Sequence, residues 1–292
     1  MASKSILVTG CSAGGLGDAL ALALALSQAK HHVFATARAP SKIPEELSRL
    51  ENVTCLALDV ADASSVAAAL KAVVAEGRGL DILINNAGVG YTMPVLDVNI
   101  DKAKQVYETN VWGVLRTVQA FADLLIASKG RVVTMSSVGP LVHTPWIAAY
   151  TSSKAAVNVF AETLRLELAP LGVSVLTIMA GVIDSKFHAN DPFTLPADSR
   201  YAPIQDMIAG WASGASKPKG CSAEQFAQQV MKDVLHPGPG GMIYRGPHSS
   251  WIAAMAHYGP ASMTDLAMSV GQGLKELKAS VDANGAAVEV PK

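Results

Sequence analysis

The chain has 292 residues, of which 50% are hydrophobic and 16% charged, with 23 basic and 24 acidic side chains for a formal net charge of −1. This apolar content excludes an intrinsically disordered chain, and the length suits either one large α/β domain or two small domains. The balanced charge provides no basic field for a polyanion, so nucleic acid is not expected as a partner.

Short β-branched runs alternate with longer helical patterns, which is typical of βαβ units around a parallel sheet. We predict strands at Ser5–Thr9, His32–Ala37, Val53–Leu58, Ile82–Asn85, Arg131–Ser136, Val173–Met179 and Met242–Arg245. Helical patterns lie at Leu16–Ala29, Ala63–Glu76, Lys102–Ser128, Ala148–Ala169 and Ala223–Leu235. The predicted fold is an α/β domain with a doubly wound parallel sheet, helices on both faces, and ligands at the carboxyl ends of the strands.

Two regions depart from this alternation. Residues 184–220 are mixed, proline-containing and aromatic, which is typical of a lid over a binding site. Residues 246–292 carry a weak helical pattern and end in a small, polar tail. We therefore expect one catalytic domain over residues 1–245, including the lid, followed by a C-terminal extension.

No segment of the sequence is well suited to cross a membrane. The apolar run Ala19–Ala29 has about half the residues that a bilayer requires, and Val132–Ser153 contains two prolines and a histidine. The N-terminus lacks the apolar region of a signal peptide. Cys11, Cys55 and Cys221 are too few and too widely spaced for a disulfide framework, which fits a reducing compartment. We expect a cytoplasmic protein without an integral membrane segment; peripheral membrane association stays open.

A glycine-rich turn, Thr9-Gly10-Cys11-Ser12-Ala13-Gly14-Gly15-Leu16-Gly17, separates the first strand from the first helix. Glycines make such a turn tight and let backbone N–H groups approach a pyrophosphate at the helix N-terminus. The position between a strand and a helix favours dinucleotide binding over a merely structural turn. Since no Gly-Lys-Ser/Thr closes the turn, it is not a Walker A loop.

The end of the second strand bears on the choice of cofactor. An NAD site is expected to have an acidic residue about 20 positions after the glycines, whereas this strand ends in Thr36-Ala37-Arg38. A guanidinium binds a 2′-phosphate bidentately, so Arg38 favours NADP. Asp59-Val60 ends the third strand where an adenine edge would lie, but Asp59 could equally cap the helix that begins near Asp62.

Tyr150 and Lys154 are four residues apart in a helical pattern and therefore share one face. A tyrosine, with an ordinary pKa of about 10, is a poor acid or base, and a nearby ammonium would lower that pKa. Ser137, at the end of the fifth predicted strand, would meet this pair at the carboxyl edge of the sheet. Its hydroxyl would then hold a substrate carbonyl oxygen.

Together with Asn85-Asn86-Ala87-Gly88 and Asn110, these motifs resemble the classical short-chain dehydrogenase/reductase family, in family order over about residues 5–245. The resemblance implies a Rossmann fold and hydride transfer from a nicotinamide. By motif position, Tyr150 would be the proton donor, and Lys154 would lower its pKa and bind the nicotinamide ribose. Ser137 would orient the carbonyl, and Asn110 would position a water in the proton relay.

The resemblance also implies a cofactor-binding set and an assembly, a homodimer or homotetramer. The set is Gly10, Ser12, Gly14, Gly15, Leu16, Gly17, Arg38, Asp59, Val60, Asn86, Ala87, Gly88, Tyr150, Lys154, Gly181, Ile183 and Ser185. The amides of Asn85 and Asn86 have a structural alternative, because they can also stabilise the central strands.

Three features set this sequence apart within the family pattern. The glycine turn holds one residue more than the commonest spacing, Ala180-Gly181 replaces Pro-Gly, and Ser185 stands where threonine is frequent. The glycine turn and Arg38 resemble in particular a fungal branch with NADPH-dependent acyl-dihydroxyacetone-phosphate reductases, whose relatives also serve secondary-metabolite pathways. The segment Trp251–Tyr258 is less apolar than expected for a lipid enzyme of that branch, which favours a soluble carbonyl reductase.

Candidate substrate-pocket residues flank these motifs: Tyr91, Met93, His143, Trp146, Phe187, His188, Tyr201 and Trp211. Trp146 is expected as an aromatic wall, whereas a loop histidine such as His143 is more often merely solvated. The four residues from the lid either close over a substrate or pack the lid onto the domain. The cysteines lack the paired spacing of a zinc site, so no metal is expected.

The sequence predicts an NADPH-dependent oxidoreductase that reduces a ketone or aldehyde of a lipophilic or polycyclic substrate to an alcohol. Acyl-dihydroxyacetone phosphate is an alternative substrate. A non-redox cyclase or isomerase on the same fold, and an NADP-binding scaffold or redox sensor, are alternative functions. The complete set of Ser137, Tyr150 and Lys154 argues against a scaffold, which has no need of an acid.

Overall fold

The computed structural model describes residues 2–187 and 193–283 and contains one large parallel sheet. Its strands are β1 Ser5–Val8, β2 His32–Ala37, β3 Val53–Ala57, β4 Ile82–Asn85, β5 Arg131–Ser137, β6 Ser174–Ala180 and β9 Gly240–Arg245. They are arranged in the order β3-β2-β1-β4-β5-β6-β9, and every neighbouring pair is parallel. Two short strands, β7 Ile183–Asp184 and β8 Cys221–Ser222, pair separately. The doubly wound sheet predicted from the sequence is confirmed.

Helices cover both faces of the sheet and continue beyond its last strand. They are α1 Leu16–Ala25, α2 Glu45–Ser48, α3 Ala63–Ala75, α4 Ile100–Tyr107, α5 Gly113–Ser128, α6 Ala148–Leu168, α7 Gln205–Ala212, α8 Ala223–Leu235, α9 Ser249–Tyr258, α10 Ala261–Ser269 and α11 Leu274–Ala283. Short 3₁₀ turns lie at Pro40–Lys42, Val95–Asp97, Gly139–Leu141, Ala169–Leu171 and Ala202–Ile204. Helix α1 ends at Ala25 rather than at the predicted Ala29, because the chain turns back into β2 with Lys30 at φ 43°.

The sheet separates two apolar cores. Side chains alternate along a strand, so Ile6 packs against α1 and α8 on one face and Leu7 packs against α3 and α5 on the other. The first core includes Phe226 of α8, and the second includes Phe121 of α5, both fully buried. Burial on both faces explains why the strands read as continuous apolar runs and accounts for much of the hydrophobic content.

The predicted helix Lys102–Ser128 is a continuous helical run with a local change of winding. A π-helical turn, Glu108–Trp112, joins α4 to α5 and brings Asn110 toward the sheet. Among the described residues, Ile100–Ser128 is the one run with the length and mean hydropathy, 1.2, of a membrane span. Because Phe121 and Leu125 are buried against the sheet, we interpret it as a core helix.

Arg131, at the start of β5, ties the sheet to the end of α8. Its guanidinium donates hydrogen bonds to the carbonyl oxygens of Asp233 at 2.9 Å, Val234 at 3.2 Å, His236 at 2.6 Å and Gly238 at 2.8 Å. These carbonyls lie where a helix leaves its last acceptors without partners. The arginine therefore closes one end of the sheet with a buried set of charge-assisted bonds.

The C-terminal extension is attached through two tryptophans. The indole Nε1 of Trp146 donates to the carbonyl of Gln272 at 3.1 Å, and that of Trp211 donates to the carbonyl of Gly271 at 3.2 Å. Leu277 of α11 packs beside them against the cluster that contains Ile208 of α7. The C-terminal extension therefore packs against α7.

Candidate active site

The glycine turn between β1 and α1 is held against the end of β4. Gly10 has φ 77°, and a Cβ at this position would lie 2.9 Å from the Cα of Ala87. The hydroxyl of Thr9 accepts hydrogen bonds from the backbone N–H groups of Asn86 and Ala87, both at 2.9 Å. The side-chain amide of Asn86 donates to the carbonyl of Thr9 at 2.8 Å and fills the space next to Gly17. The side-chain amide of Asn86 therefore stabilises the turn, and its contact with a cofactor stays a prediction.

The middle of the turn accommodates the additional residue. Gly14 has φ 77°, and its N–H donates to the carboxylate of Asp18 at 3.1 Å, while the N–H of Gly15 donates to the carbonyl of Ser12 at 3.1 Å. Leu16 then begins α1. Burial raises the pKa of the Cys11 thiol to about 12, so this cysteine stays a protonated, buried part of the turn.

The end of β2 leaves a cation beside an open groove. Arg38 is exposed and has no hydrogen bond or ion pair to any residue in the described parts of the chain. A groove of about 640 Å³ lies next to the glycine turn, lined by Ser12, Ala13 and residues 40–45 and 48. The N–H of Ala13 donates to the carbonyl of Lys42 at 2.9 Å and fixes one wall of that groove. Arg38 comes two residues before Pro40, which lines this groove, and a guanidinium there suits a phosphate-bearing ligand.

The structure shows whether Asp59 caps the helix that follows β3, which was one of its two predicted roles. The cap of α3 is Asp62, whose carboxylate accepts from the N–H of Ser64 at 2.8 Å. Asp59 instead accepts from the N–H of Ala61 at 3.0 Å, which holds the loop after β3. Its proposed contact with an adenine stays a prediction. The carbonyl of the neighbouring Val60 accepts a hydrogen bond from Arg116 at 2.6 Å.

Asn110 connects the loop after β4 to α6. Its Oδ1 accepts from the N–H of Val89, and its Nδ2 donates to the carbonyl of the same residue, each at 2.9 Å. Nδ2 also donates to Ser153 Oγ at 3.0 Å, and that hydroxyl donates to the carbonyl of Tyr150 at 2.6 Å. A Cβ on Gly88 would lie 3.3 Å from Asn110 Oδ1, so this glycine gives the amide its space.

Ser137, Tyr150 and Lys154 converge at the carboxyl end of β5. The Tyr150 side chain lies beside that of Ser137, and the Lys154 ammonium donates to the carbonyl of Met135 at 2.8 Å. Burial raises the pKa of Tyr150, and the neighbouring Ser137 side chain opposes that shift. Burial lowers the pKa of Lys154 to about 8. In the ligand-free protein, burial thus has the larger effect on the pKa of Tyr150, and a lowering of this pKa by Lys154 stays a prediction.

A small apolar cleft of about 80 Å³ opens beside Tyr150. It is lined by Gly90, Tyr91, Thr92, Ile147, Tyr150, Phe187 and Ala212. The rings of Phe187 and Tyr150 pack edge to face, with centroids 5.6 Å apart. The sequence pointed to Tyr91 and Phe187, but it gave no signal for Gly90, Thr92, Ile147 or Ala212, whose place depends on how the loops converge.

The other pocket candidates lie behind or away from this cleft. Met93 donates its N–H to the carbonyl of Trp146, and Trp146 packs edge to face on Tyr201, with centroids 5.4 Å apart. Trp211 joins the same cluster through α7. His143 is 80% exposed and lies 2.9 Å from a carboxylate oxygen of Asp265. His188 falls outside the described residues.

The segment after β6 crosses close to the end of the chain's last sheet strand. A Cβ at Gly181 would overlap the carbonyl oxygen of Pro247, so the position accepts no side chain. Lys217, from the predicted lid, donates to the carbonyl of Ile183 at 3.0 Å and pairs with Asp184. The Ser185 hydroxyl accepts from the N–H of Phe187 at 3.4 Å. Lys217 therefore connects the predicted lid to the segment that follows β6.

These features fit a nicotinamide dinucleotide. The glycine turn precedes the N-terminus of α1, Arg38 at the end of β2 has no hydrogen bond or ion pair with the described residues, and Tyr150 lines the cleft. The model of the short chain dehydrogenase family matches residues 4–193. The chain therefore belongs to the short-chain dehydrogenase family and is an oxidoreductase of this α/β class.

Individual relatives place it in a fungal branch. A short-chain dehydrogenase of Penicillium crustosum is 41% identical over 259 residues, which cover 87% of this chain and 94% of that protein. An NADPH-dependent 1-acyldihydroxyacetone phosphate reductase of Schizosaccharomyces pombe is 34% identical over 272 residues, or 88% of each chain. A crystal structure of a short-chain dehydrogenase from Burkholderia cenocepacia in complex with NADP matches with a TM-score of 0.72 at 23% identity. The match covers 90% of this chain and 96% of the Burkholderia cenocepacia chain.

Proposed function

We propose that this protein is an NADPH-dependent carbonyl reductase that converts a ketone or aldehyde of a lipophilic substrate to an alcohol. The observation that carries the proposal is the contact of Tyr150, which lines an apolar cleft, with the side chain of Ser137. A substrate carbonyl oxygen that replaces this mutual contact would accept from both hydroxyls. Such a pair polarises the carbonyl and provides its proton.

The ionisation of the site suits reduction. Burial raises the pKa of Tyr150, so the phenol keeps its proton until the substrate oxygen develops negative charge. A nicotinamide, when bound, would supply a hydride for the carbonyl carbon, and Tyr150 would supply the proton to the oxygen. The Asn110–Ser153 connection ties α6 to the loop after β4, and Lys154 ties α6 to Met135 of β5, which together hold the helix that carries the tyrosine.

Arg38 supports NADPH rather than NADH as the reductant. It is a free cation at the end of β2, and no acidic side chain follows it that would bind ribose hydroxyls. The relative from Schizosaccharomyces pombe is described as NADPH-dependent, and the Burkholderia cenocepacia protein was solved with NADP. We propose the same cofactor here.

The lining of the cleft supports a neutral, lipophilic substrate. Of the residues around it, Gly90, Tyr91, Ile147, Phe187 and Ala212 are apolar or aromatic, and none of the lining residues in the described part of the chain carries a positive charge. A phosphorylated substrate such as acyl-dihydroxyacetone phosphate would require a cation near its headgroup. We therefore rank it second, although one relative acts as a reductase of that compound.

We further propose a homo-oligomer in the cytoplasm. Trp112 in the π-helical turn and Val159, Phe160 and Leu166 in α6 are large apolar residues with exposed fractions of 40–68%. A patch of large exposed apolar side chains on a globular protein is typical of an interface. The free cysteines are compatible with a reducing compartment.

Tyr150→Phe tests the proposed reaction. We expect NADPH oxidation with a panel of lipophilic ketones and aldehydes, followed at the cofactor absorbance, to fall by about 10²–10⁴-fold. Tyr258→Phe is the matched control, since this tyrosine is 85% exposed and should change nothing. NADPH binding, measured by fluorescence titration, should be kept in both variants.

Two results would overturn the proposal. One is wild-type turnover in Tyr150→Phe. The other is a wild-type protein that converts a substrate to product equally well with and without NADPH, which would indicate a non-redox enzyme. A protein that binds NADPH and turns over none of the panel would favour the scaffold.

A further inference from the structure

Lys186 places a cation on the glycine turn from the side of the predicted lid. Its backbone N–H donates to the carbonyl of Gly14 at 3.2 Å. Its side chain lies over the same residue: a Cβ built on Gly14 would be 2.7 Å from Lys186 Cε, 2.9 Å from Cδ and 3.1 Å from Nζ. Gly14 thus leaves the space in which the lysine lies, and the ammonium comes close to the N-terminus of α1.

The turn also carries an anion that this cation balances. Asp18, in the first turn of α1, accepts from the N–H of Gly14 at 3.1 Å. Burial raises the pKa of Asp18, and the nearby charge of Lys186 acts in the opposite direction. A phosphate brought to this helix terminus would meet the carboxylate of Asp18, so a second cation is needed for a favourable local field.

Arg38 does not supply that cation at this position. It follows β2, close to the groove formed with residues 40–48, whereas Lys186 reaches Gly14 from the segment after β7. Neither Arg38 nor Lys186 lines the groove itself, but Arg38 comes two residues before Pro40, which does. The two cations therefore approach the turn from different segments and suit different phosphates of one ligand.

We propose that Lys186 binds the pyrophosphate of the dinucleotide, while Arg38 binds the 2′-phosphate. The inference rests on the proposed function, because it assigns this chain's own residue to the same cofactor. The pyrophosphate is common to NADPH and NADH, so Lys186 raises the affinity for both cofactors equally. Arg38 determines the preference for NADPH over NADH. Since Phe187, the next residue, contacts Tyr150, the segment links the phosphate turn to the catalytic cleft.

Binding of cofactor fragments separates the two roles. ADP carries a diphosphate without a 2′-phosphate, and 2′-AMP carries the 2′-phosphate alone. Dissociation constants of ADP, 2′-AMP, NADPH and NADH are measured by calorimetry for the wild type and for Lys186→Gln and Arg38→Gln. Each loses one exposed cation and can be checked for folding by thermal denaturation.

We expect Lys186→Gln to weaken ADP, NADPH and NADH by a similar factor, about three- to tenfold for a solvent-exposed charge-assisted hydrogen bond, and to leave 2′-AMP unchanged. Arg38→Gln should weaken 2′-AMP and NADPH and leave ADP and NADH unchanged. Lys186→Arg should keep most of the affinity for ADP. An unchanged ADP affinity in Lys186→Gln would overturn the inference.

A purely internal role, in which Lys186 only neutralises Asp18, makes a different prediction. In that case Asp18→Asn would abolish the effect of Lys186→Gln in the double variant, because the unbalanced carboxylate is gone. A direct contact with phosphate predicts that Lys186→Gln still weakens ADP in the Asp18→Asn background. A wild type that binds neither NADPH nor NADH would refute the proposed function itself, whereas unaltered ADP binding in the variant refutes only the role of Lys186.

Discussion

Replacing Lys154 by methionine is expected to stabilise the ligand-free protein at neutral pH while it removes the activity. The ammonium is 94% buried, and its one hydrogen bond within the described chain is to the carbonyl of Met135. Methionine has a similar length and carries no charge. The variant therefore removes a buried cation and keeps the packing on α6.

The magnitude follows from the pKa of Lys154, which burial lowers from 10.5 to about 8. This difference in pKa means that the folded protein destabilises the charged form of Lys154 by about 3 kcal/mol relative to the unfolded chain. The variant leaves the Met135 carbonyl without its partner, at a cost of about 1–2 kcal/mol. We expect a net increase of about 1–2 kcal/mol in the free energy of unfolding at pH 7, and a Tm higher by about 3 °C.

The pH dependence has a definite sign. The folded-state pKa of Lys154 is lowered, so below about pH 8 the wild type bears the whole penalty of a buried charge. Between pH 8 and 10.5 the folded lysine is neutral while the unfolded one is still protonated, and the wild type gains stability relative to the variant. The advantage of the variant should therefore fall to about zero by pH 9.5.

Urea denaturation at pH 7.0 and 9.5, without cofactor, measures both effects. Lys71→Met is the matched control, since Lys71 is exposed on α3 and should change stability by less than about 0.5 kcal/mol at either pH. A Lys154→Met protein that is less stable than the wild type at pH 7, or whose advantage persists unchanged at pH 9.5, would refute the reasoning.

Two further predictions concern the frame of the site. Arg131→Met should lower the free energy of unfolding by about 3 kcal/mol in urea denaturation, because four carbonyl oxygens lose a charged donor. Arg78→Met, at an exposed position, is the control and should have little effect. Gly181→Ala should lower the Tm by about 5 °C or more in scanning calorimetry, since its Cβ would overlap the carbonyl of Pro247; an unchanged Tm would mean that the two segments separate freely.

Strand positions and cofactor-site motifs are predictable because they depend on local rules. The strands of the sheet are buried on both faces, so their apolar runs mark them within one or two residues of their observed ends, as at Ile82–Asn85. The turn before α1 is equally visible, because glycine is needed where Gly10 approaches Ala87. The expected meeting of Ser137 and Tyr150 follows from parallel strands that end at one edge.

Contacts between distant segments could not be predicted in this way. Trp146 lies behind the cleft instead of forming its wall, because its indole donates to the carbonyl of Gln272. Nothing near Trp146 in the sequence indicates this contact. Lys186 likewise resembles an ordinary surface lysine until the fold brings it over Gly14. The direction of the Tyr150 pKa shift depends on burial, which residue spacing does not report.

The bonds from Trp146 and Trp211 to consecutive carbonyls, at Gln272 and Gly271, also impose an order on biosynthesis. The ribosome adds Gln272 126 residues after Trp146, long after the strands that carry the glycine turn have been made. Until then the two tryptophans behind the cleft lack the carbonyl oxygens to which their indoles donate. The nucleotide-binding half can thus assemble early during translation, whereas the part of the molecule that shapes the substrate cleft is completed only near the end of synthesis.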